Sequence, residues 1–120
     1  MKNFSYEEHL ILNIVAGKVN EKLESRGFRL SPRSAKFHWF NVIKSDTGDM
    51  MDAQLYFDKV VKNITPDGKV YYTIEYRIGI PGSGFKFGFL VFSPSEGLLD
   101  NVGGWSYGSV DELLKKLKIP

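Results

Sequence analysis

Four glycines fall within ten residues, GIPGSGFKFG (79–88), the composition of a loop that could cradle a phosphate. Phosphate cradles work because backbone N–H groups and a helix N-terminus converge on the anion, so spacing and the next element both matter. A dinucleotide fingerprint reads G-x-G-x-x-G, whereas Gly82, Gly84 and Gly88 give one residue more. A P-loop needs Lys directly after its last glycine, and here Phe85 intervenes before Lys86. Gly84 leads into FKFGFLVF, a strand pattern with no helix to supply the positive end. Pro81-Gly82 suits a type II turn and Gly84 tolerates a positive φ, so the run is expected to be a hairpin loop.

Other reactive side chains lack company. His9 and His38 are the only histidines, too few for a histidine-rich metal site, and His38 between Phe37 and Trp39 reads as a packed strand residue. Asp46, Asp49 and Asp52 recur every three residues, whereas a calcium loop alternates its carboxylates around a glycine. Ser83 lies in Gly-Ser-Gly ahead of a strand, without the turn into a helix that a nucleophile elbow requires. No catalytic residue, metal site or cofactor is therefore assigned, and the chain reads as a binding protein rather than an enzyme.

Charge layout offers a different chemistry. The chain of 120 residues carries a formal charge of +2, but the segment 18–44 holds seven basic residues against two acidic ones. Its Arg26, Arg29, Arg33 and Lys36 lie beside His38 and Trp39, where cations could neutralise phosphates while an indole stacks on a base. With no cysteine, disulfides are excluded and a reducing, cytoplasmic setting is expected. The apolar run LILNIVAG (10–17) is too short to span a bilayer and comes after Glu7 and Glu8, so no membrane partner is expected.

The elements that must position these residues are well punctuated. Ser5 and Glu8 form a capping box, and Leu12, Val15, Ala16, Val19 and Leu23 recur at helical spacing, predicting a helix over 6–26. RLSPRSAK (29–36) reads as a basic connector broken by Pro32. Strands are expected at 37–43, from Met51 towards Ile64, at 70–78 and at 85–92, separated by turn chemistry at 45–49, 65–68 and 79–84. Ser109 and Glu112 open a second helix whose Val110, Leu113, Leu114 and Leu117 face the core. Residues 94–108 form a long connection, of a length that often marks a functional loop, with room for a short fifth strand.

These elements predict one α+β domain over 1–120: an N-terminal helix, an antiparallel meander sheet of four to five strands and a C-terminal helix, both helices packed on one sheet face. Period-two alternation gives the open face Gln54, Tyr56, Tyr71, Thr73, Glu75, Arg77 and Lys86, with Leu90 and Phe92 at one end. Tyr and Arg are typical interface anchors, and the long loop adds Trp105 and Tyr107. The leading expectation is a small regulator or inhibitor that engages a protein partner, itself or another, through Tyr56, Tyr71, Arg77, Leu90, Phe92, Trp105 and Tyr107. The alternative is a nucleic acid or other polyanion held by Arg26, Arg29, Arg33, Lys36, His38 and Trp39.

Overall fold

The structure is a computed structural model that describes residues 3–34, 36–99 and 108–120. Helix α1 (Tyr6–Glu24) is succeeded by strands β1 (Phe28–Ser34), β2 (Trp39–Lys44), β3 (Met50–Ile64), β4 (Val70–Ile80), β5 (Gly84–Ser93) and β6 (Gly97–Leu98), then helix α2 (Val110–Lys116). The strands form one antiparallel sheet in sequence order, a six-stranded meander. Such an order arises from short turns, because each strand pairs with the one it has just left.

Helix α1 forms where its punctuation places it. The Ser5 hydroxyl accepts from the Glu8 amide at 3.2 Å, and the Glu8 carboxylate accepts from the Ser5 amide at 2.8 Å. Its stripe Ile11, Leu12, Val15, Val19 and Leu23 is buried, each side chain contributing roughly 1.5–3 kcal/mol by leaving water. Asn20 Oδ1 accepts from the Leu30 amide at 2.8 Å and fastens the helix to β1. At the other end Glu7 accepts from the Tyr72 hydroxyl at 2.6 Å and pairs with Lys62 at 3.1 Å. Those two partners hold the Glu7 carboxyl below its usual pKa.

Two differences from the sequence-based expectation concern the sheet. It has six strands rather than four to five, because residues 28–34 form β1 and not a connector. Pro32 is tolerated there because β1 is an edge strand, where a missing N–H costs no ladder bond, and the register shifts between Pro32 and Ser34. The second addition, β6, is the short strand for which the 94–108 connection had room.

The other difference is the facing of β5. Leu90 and Phe92, expected on the open face, lie in the core with 0% and 4% exposure. Phe85 and Phe87 stand exposed on the opposite side at 52% and 68%. Turn length decides this. The β4–β5 hairpin pairs Ile80 with Gly84 and Gly79 with Phe85, so Phe85 must share the face of Gly79, away from buried Ile78. Gly82 and Gly84 take φ of +79° and +73° in that loop, the left-handed backbone the hairpin needs.

Gly88 explains how the helix side of β5 accepts α2. Lys116 reaches over it to hydrogen-bond the Tyr76 hydroxyl at 3.2 Å. A Cβ there would stand 2.5 Å from Lys116 Nζ and would also collide with the Tyr76 phenol. Burial pushes the Tyr76 phenol up and the Lys116 ammonium down from their ordinary pKa values.

Candidate functional site

The face of the sheet turned away from the helices carries one connected group of aromatic and arginine side chains. Its order is set by strand register: Ser34 pairs with Trp39, Trp39 with Tyr56, Tyr56 with Arg77, and Arg77 with Phe87. Directly opposed residues on one face have side chains in contact range, so register alone makes a row across five strands.

The side chains use that proximity to stack. The rings of Trp39 and Tyr56 are 5.6 Å apart at an interplanar angle of 11°. The Arg77 guanidinium lies 3.9 Å from the Tyr56 ring centroid and 4.9 Å from that of Phe85. On the far side, Arg33 approaches the Trp39 ring at 5.9 Å. Cations over aromatic faces are attracted by the ring quadrupole, worth about 0.5–1 kcal/mol where exposed. The result is a column in which Arg33, Trp39, Tyr56, Arg77 and Phe85 succeed one another.

Absence of a side chain also shapes the column. Phe85 lies over its strand partner Gly79, and a Cβ at that glycine would stand 3.2 Å from the Phe85 ring. An aromatic ring thus covers backbone that glycine would otherwise leave bare.

Charges on this face are mostly settled within it. Arg77 Nε donates to both carboxylate oxygens of Asp58 at 3.1 and 3.0 Å. Lys59 pairs with Glu75 at 3.8 Å across β3 and β4. Asp58 shares the face of Tyr56 and Arg77 and is left without a cross-strand partner of its own by the register shift between Phe57 and Lys59. Alternation from Tyr56 already sends Asp58 to this face, and the bulge brings Lys59, the next residue, to the same face opposite Glu75.

A cavity of about 300 Å³ opens at this end of the sheet, walled by Phe4, Phe37, Trp39 and Tyr56 and closed by Phe57, Asp58 and Arg77. Trp39 Nε1 is buried and has no hydrogen-bond partner among the described residues. Asn41 Oδ1, further along β2, is likewise buried without a partner among the described residues, although its Nδ2 donates weakly to Met50 Sδ at 3.8 Å.

Beside the cavity lies a histidine pair. His9 Nδ1 and His38 Nε2 are 2.8 Å apart, one donating to the other, with the Phe4 ring edge-on to both. His38 is 1% exposed and takes a φ of 49°. Its carbonyl accepts from the Phe57 amide at 3.1 Å. Burial, with the charge of His9 as the lesser cause, lowers the His38 pKa to about 4.

The residues expected from sequence are distributed unevenly about this site. Arg33, Trp39, Tyr56 and Arg77 meet in the column, which joins two polyanion candidates to two protein-binding candidates. Tyr71 is on the same face but six residues before Arg77 on β4, roughly 20 Å away at the rise of a strand. Leu90 and Phe92 belong to the core and leave the expected surface. Trp105 and Tyr107 lie outside the described residues.

Among the basic candidates, Arg29, Arg33 and Lys36 are exposed, whereas His38 is buried. Arg26 is drawn to Asp111 of α2 at 3.4 Å. The expected six-residue polyanion surface is therefore not contiguous. Phe85, Phe87 and Asp58 join the site without being expected there. The sequence signal for the two phenylalanines is the hairpin length together with Gly79, which fixes the facing of β5 through β4.

Among the described residues no three histidine, aspartate or glutamate side chains gather as a metal would require. No described helix is long and apolar enough to cross a membrane. Comparison with protein-family models, curated proteins and solved structures finds no match, so function must be read from this geometry.

Proposed function

We propose that this protein is a non-enzymatic binding protein, a small regulator or inhibitor, that engages a protein partner through the open face of its sheet. The observation that carries the reading is the exposed pair Phe85 and Phe87, 52% and 68% accessible, at the end of the stacked column. Apolar rings held at the surface beside Trp, Tyr and Arg are the composition of interface hot spots. Because Asp58 and Glu75 pair with Arg77 and Lys59, the centre of this face suits a partner surface that is apolar rather than strongly charged. The cysteine-free chain suits a reducing compartment, and the proposal places the interaction in the cytoplasm.

The experiment is capture from the native host with the wild-type chain, Phe85→Ser, Phe87→Ser, and Lys18→Ser on the exposed side of α1. Each phenylalanine variant should lose the captured partner while the helix variant keeps it, with all proteins equally folded. Retention of the partner by Phe85→Ser and Phe87→Ser would exclude this face as the interface.

A second reading, binding of nucleic acid or another polyanion, is favoured by one observation. Arg29, Arg33 and Lys36 are exposed, and no ion pair among the described residues involves them. If all three contact phosphates of duplex DNA, affinity should fall with salt at a log–log slope of about −3. Replacing Arg29 and Arg33 together should flatten that slope by about two. No mobility shift at low salt would remove this reading and leave the first intact.

A further inference from the structure

Helix α1 carries a second apolar row, on the side that no described element covers. Its buried stripe is Ile11, Leu12, Val15, Val19 and Leu23. At about 100° per residue, the opposite side of the helix holds Tyr6, Leu10, Asn13, Gly17 and Glu21, with Ile14 beside them. Tyr6 is 80% accessible, and Leu10 and Ile14 are 46% accessible each. Large apolar side chains spaced four apart form a continuous ridge, a pattern that ordinarily meets another element.

Gly17 stands in the same row, and the chain itself supplies no reason for a glycine there. A Cβ at Gly17 would meet nothing within 4 Å, and the backbone is ordinary helix. Glycine weakens a helix interior relative to alanine, and its use is the close approach of something else. Leu10, Asn13, Ile14 and Gly17 are the four corners of one surface hole, at i, i+3, i+4 and i+7. In an antiparallel pair of α1 helices that cross at the level of residue 12, Leu10 of each copy enters that hole on the other. Tyr6 then enters the next hole, bounded by Ile14, Gly17, Lys18 and Glu21. Gly17 borders both holes, so the missing side chain lies where two knobs must enter.

Charge selects the same arrangement. Lys18 is exposed, and no ion pair among the described residues involves it. Antiparallel pairing sets it on the same flank and at the same level as the half-exposed carboxylate of Glu7 in the second copy. Parallel pairing would instead set Glu7 against Glu7 and Lys18 against Lys18. Knobs, holes and both charges come from one stretch, 6–21, and complement one another only across a two-fold axis. That is the condition for an isologous dimer, and it names a second copy of this chain as the occupant.

We propose that two copies of this protein pair antiparallel through the outer faces of α1, with Leu10 and Tyr6 as knobs and Gly17 on the floor of the holes. One helix pair is a smaller contact than the roughly 1,200–2,000 Å² of stable complexes, so the dimer is a weak one that fills as concentration rises. The open face of the sheet lies on the far side from α1 and stays free in the pair. The inference therefore does not depend on what that face binds.

Sedimentation of the wild-type chain from micromolar to millimolar concentration should show the mass rising from one chain towards two. Leu10→Lys should weaken association at least about tenfold without loss of folding, and Phe87→Ser, across the sheet, should leave it unchanged. Gly17→Leu is the sharper variant. It should raise the urea midpoint of the dilute monomer, because leucine favours helix, yet weaken pairing at least about tenfold. The chain has no cysteine, so single cysteines report the geometry under mild oxidation. Asn13→Cys, beside the two-fold, should give a disulfide-linked dimer. Tyr6→Cys alone should not, because its two copies lie roughly 18 Å apart along the axis at 1.5 Å per residue. Mixed with Gly17→Cys, it should form the crossed dimer. A wild-type chain that stays monomeric at millimolar concentration overturns the proposal. So does Gly17→Leu pairing as tightly as the wild type, or Tyr6→Cys linking to itself as readily as Asn13→Cys.

Discussion

On the side of the sheet that meets α1 and α2, Leu55, Ile74, Ile78 and Leu90 are wholly buried beside Leu12 and Leu113. On the other side, β2 to β5 present Trp39, Tyr56, Arg77 and Phe87 in a row that stays partly open to water. The first face is held by removal of apolar area from water, which is non-directional and large in sum. The second is held by stacking and paired charges, which are directional and individually small. One sheet therefore separates two duties. Substitutions on the covered face should register as stability, and substitutions on the open face as recognition.

The largest effect that would break this contrast is on the covered side. Leu90→Ala should cost about 2–5 kcal/mol in urea unfolding, the range for a buried leucine whose cavity cannot fully collapse. Phe87, only three residues away on the same strand, should cost under about 0.5 kcal/mol when replaced by Ser, as surface positions do. Comparable losses at the two positions would mean that the facing of β5 is wrong.

Gly88→Ala comes next, at about 1–3 kcal/mol, because an added methyl must displace Lys116 from Tyr76 or strain the strand. The sharper version is a cycle with Lys116→Ala. Removal of the ammonium should recover part of the loss, and the remainder reports the rigid Tyr76 ring. Additive losses would show that Lys116 does not cross the glycine.

Acid tests the boundary between the faces, where His38 and His9 lie beneath Phe4. His38 titrates at about 4 in the folded protein because burial disfavours its charged form, against about 6.5 in an unfolded chain. The unfolded state therefore binds the proton first. The contribution of His38 is complete above about pH 6.5 and is lost progressively as pH falls towards 4, by roughly 3 kcal/mol in all. Urea midpoints between pH 7 and 5 should fall for the wild type and stay nearly level for His38→Asn. Parallel curves would show that the pair is open to water.

The smallest effect sharpens the description of the open face itself. A double-mutant cycle of Tyr56→Leu and Arg77→Gln should give a coupling of about 0.5–1 kcal/mol, the scale of a partly exposed cation over a ring. A coupling near zero would reduce the column to neighbours that merely touch.

Local chemistry makes several elements readable in the sequence. Ser5 and Glu8 announce α1 because a capping box and a helical stripe involve only near neighbours. The alternation of β4 and the turn at 65–68 are equally local, so the meander and its direction are legible. β1 escapes such a reading because Pro32 looks like a breaker until the strand is known to lie at an edge, and edge position is a property of the whole sheet. Simple alternation places Asp58 correctly, yet the bulge beside it reverses Lys59, Val60 and Val61, and no residue type there signals an extra residue.

The binding face divides in the same way. That Tyr56 and Arg77 share a face is written in the chain, because alternation along β3 and β4 is a period that each strand carries alone. Three further features needed the assembled sheet: Trp39 stacked on Tyr56, Arg77 clamped by Asp58, and Phe85 and Phe87 beside them in place of Leu90 and Phe92. Phe85, Phe87, Phe89 and Val91 form the more apolar set on β5, so composition favours burying them. Hairpin register overrides that preference: once Ile80 pairs with Gly84, the facing of every later residue is inherited from β4. A side chain's hydrophobicity belongs to its residue, but its direction belongs to the strand beside it.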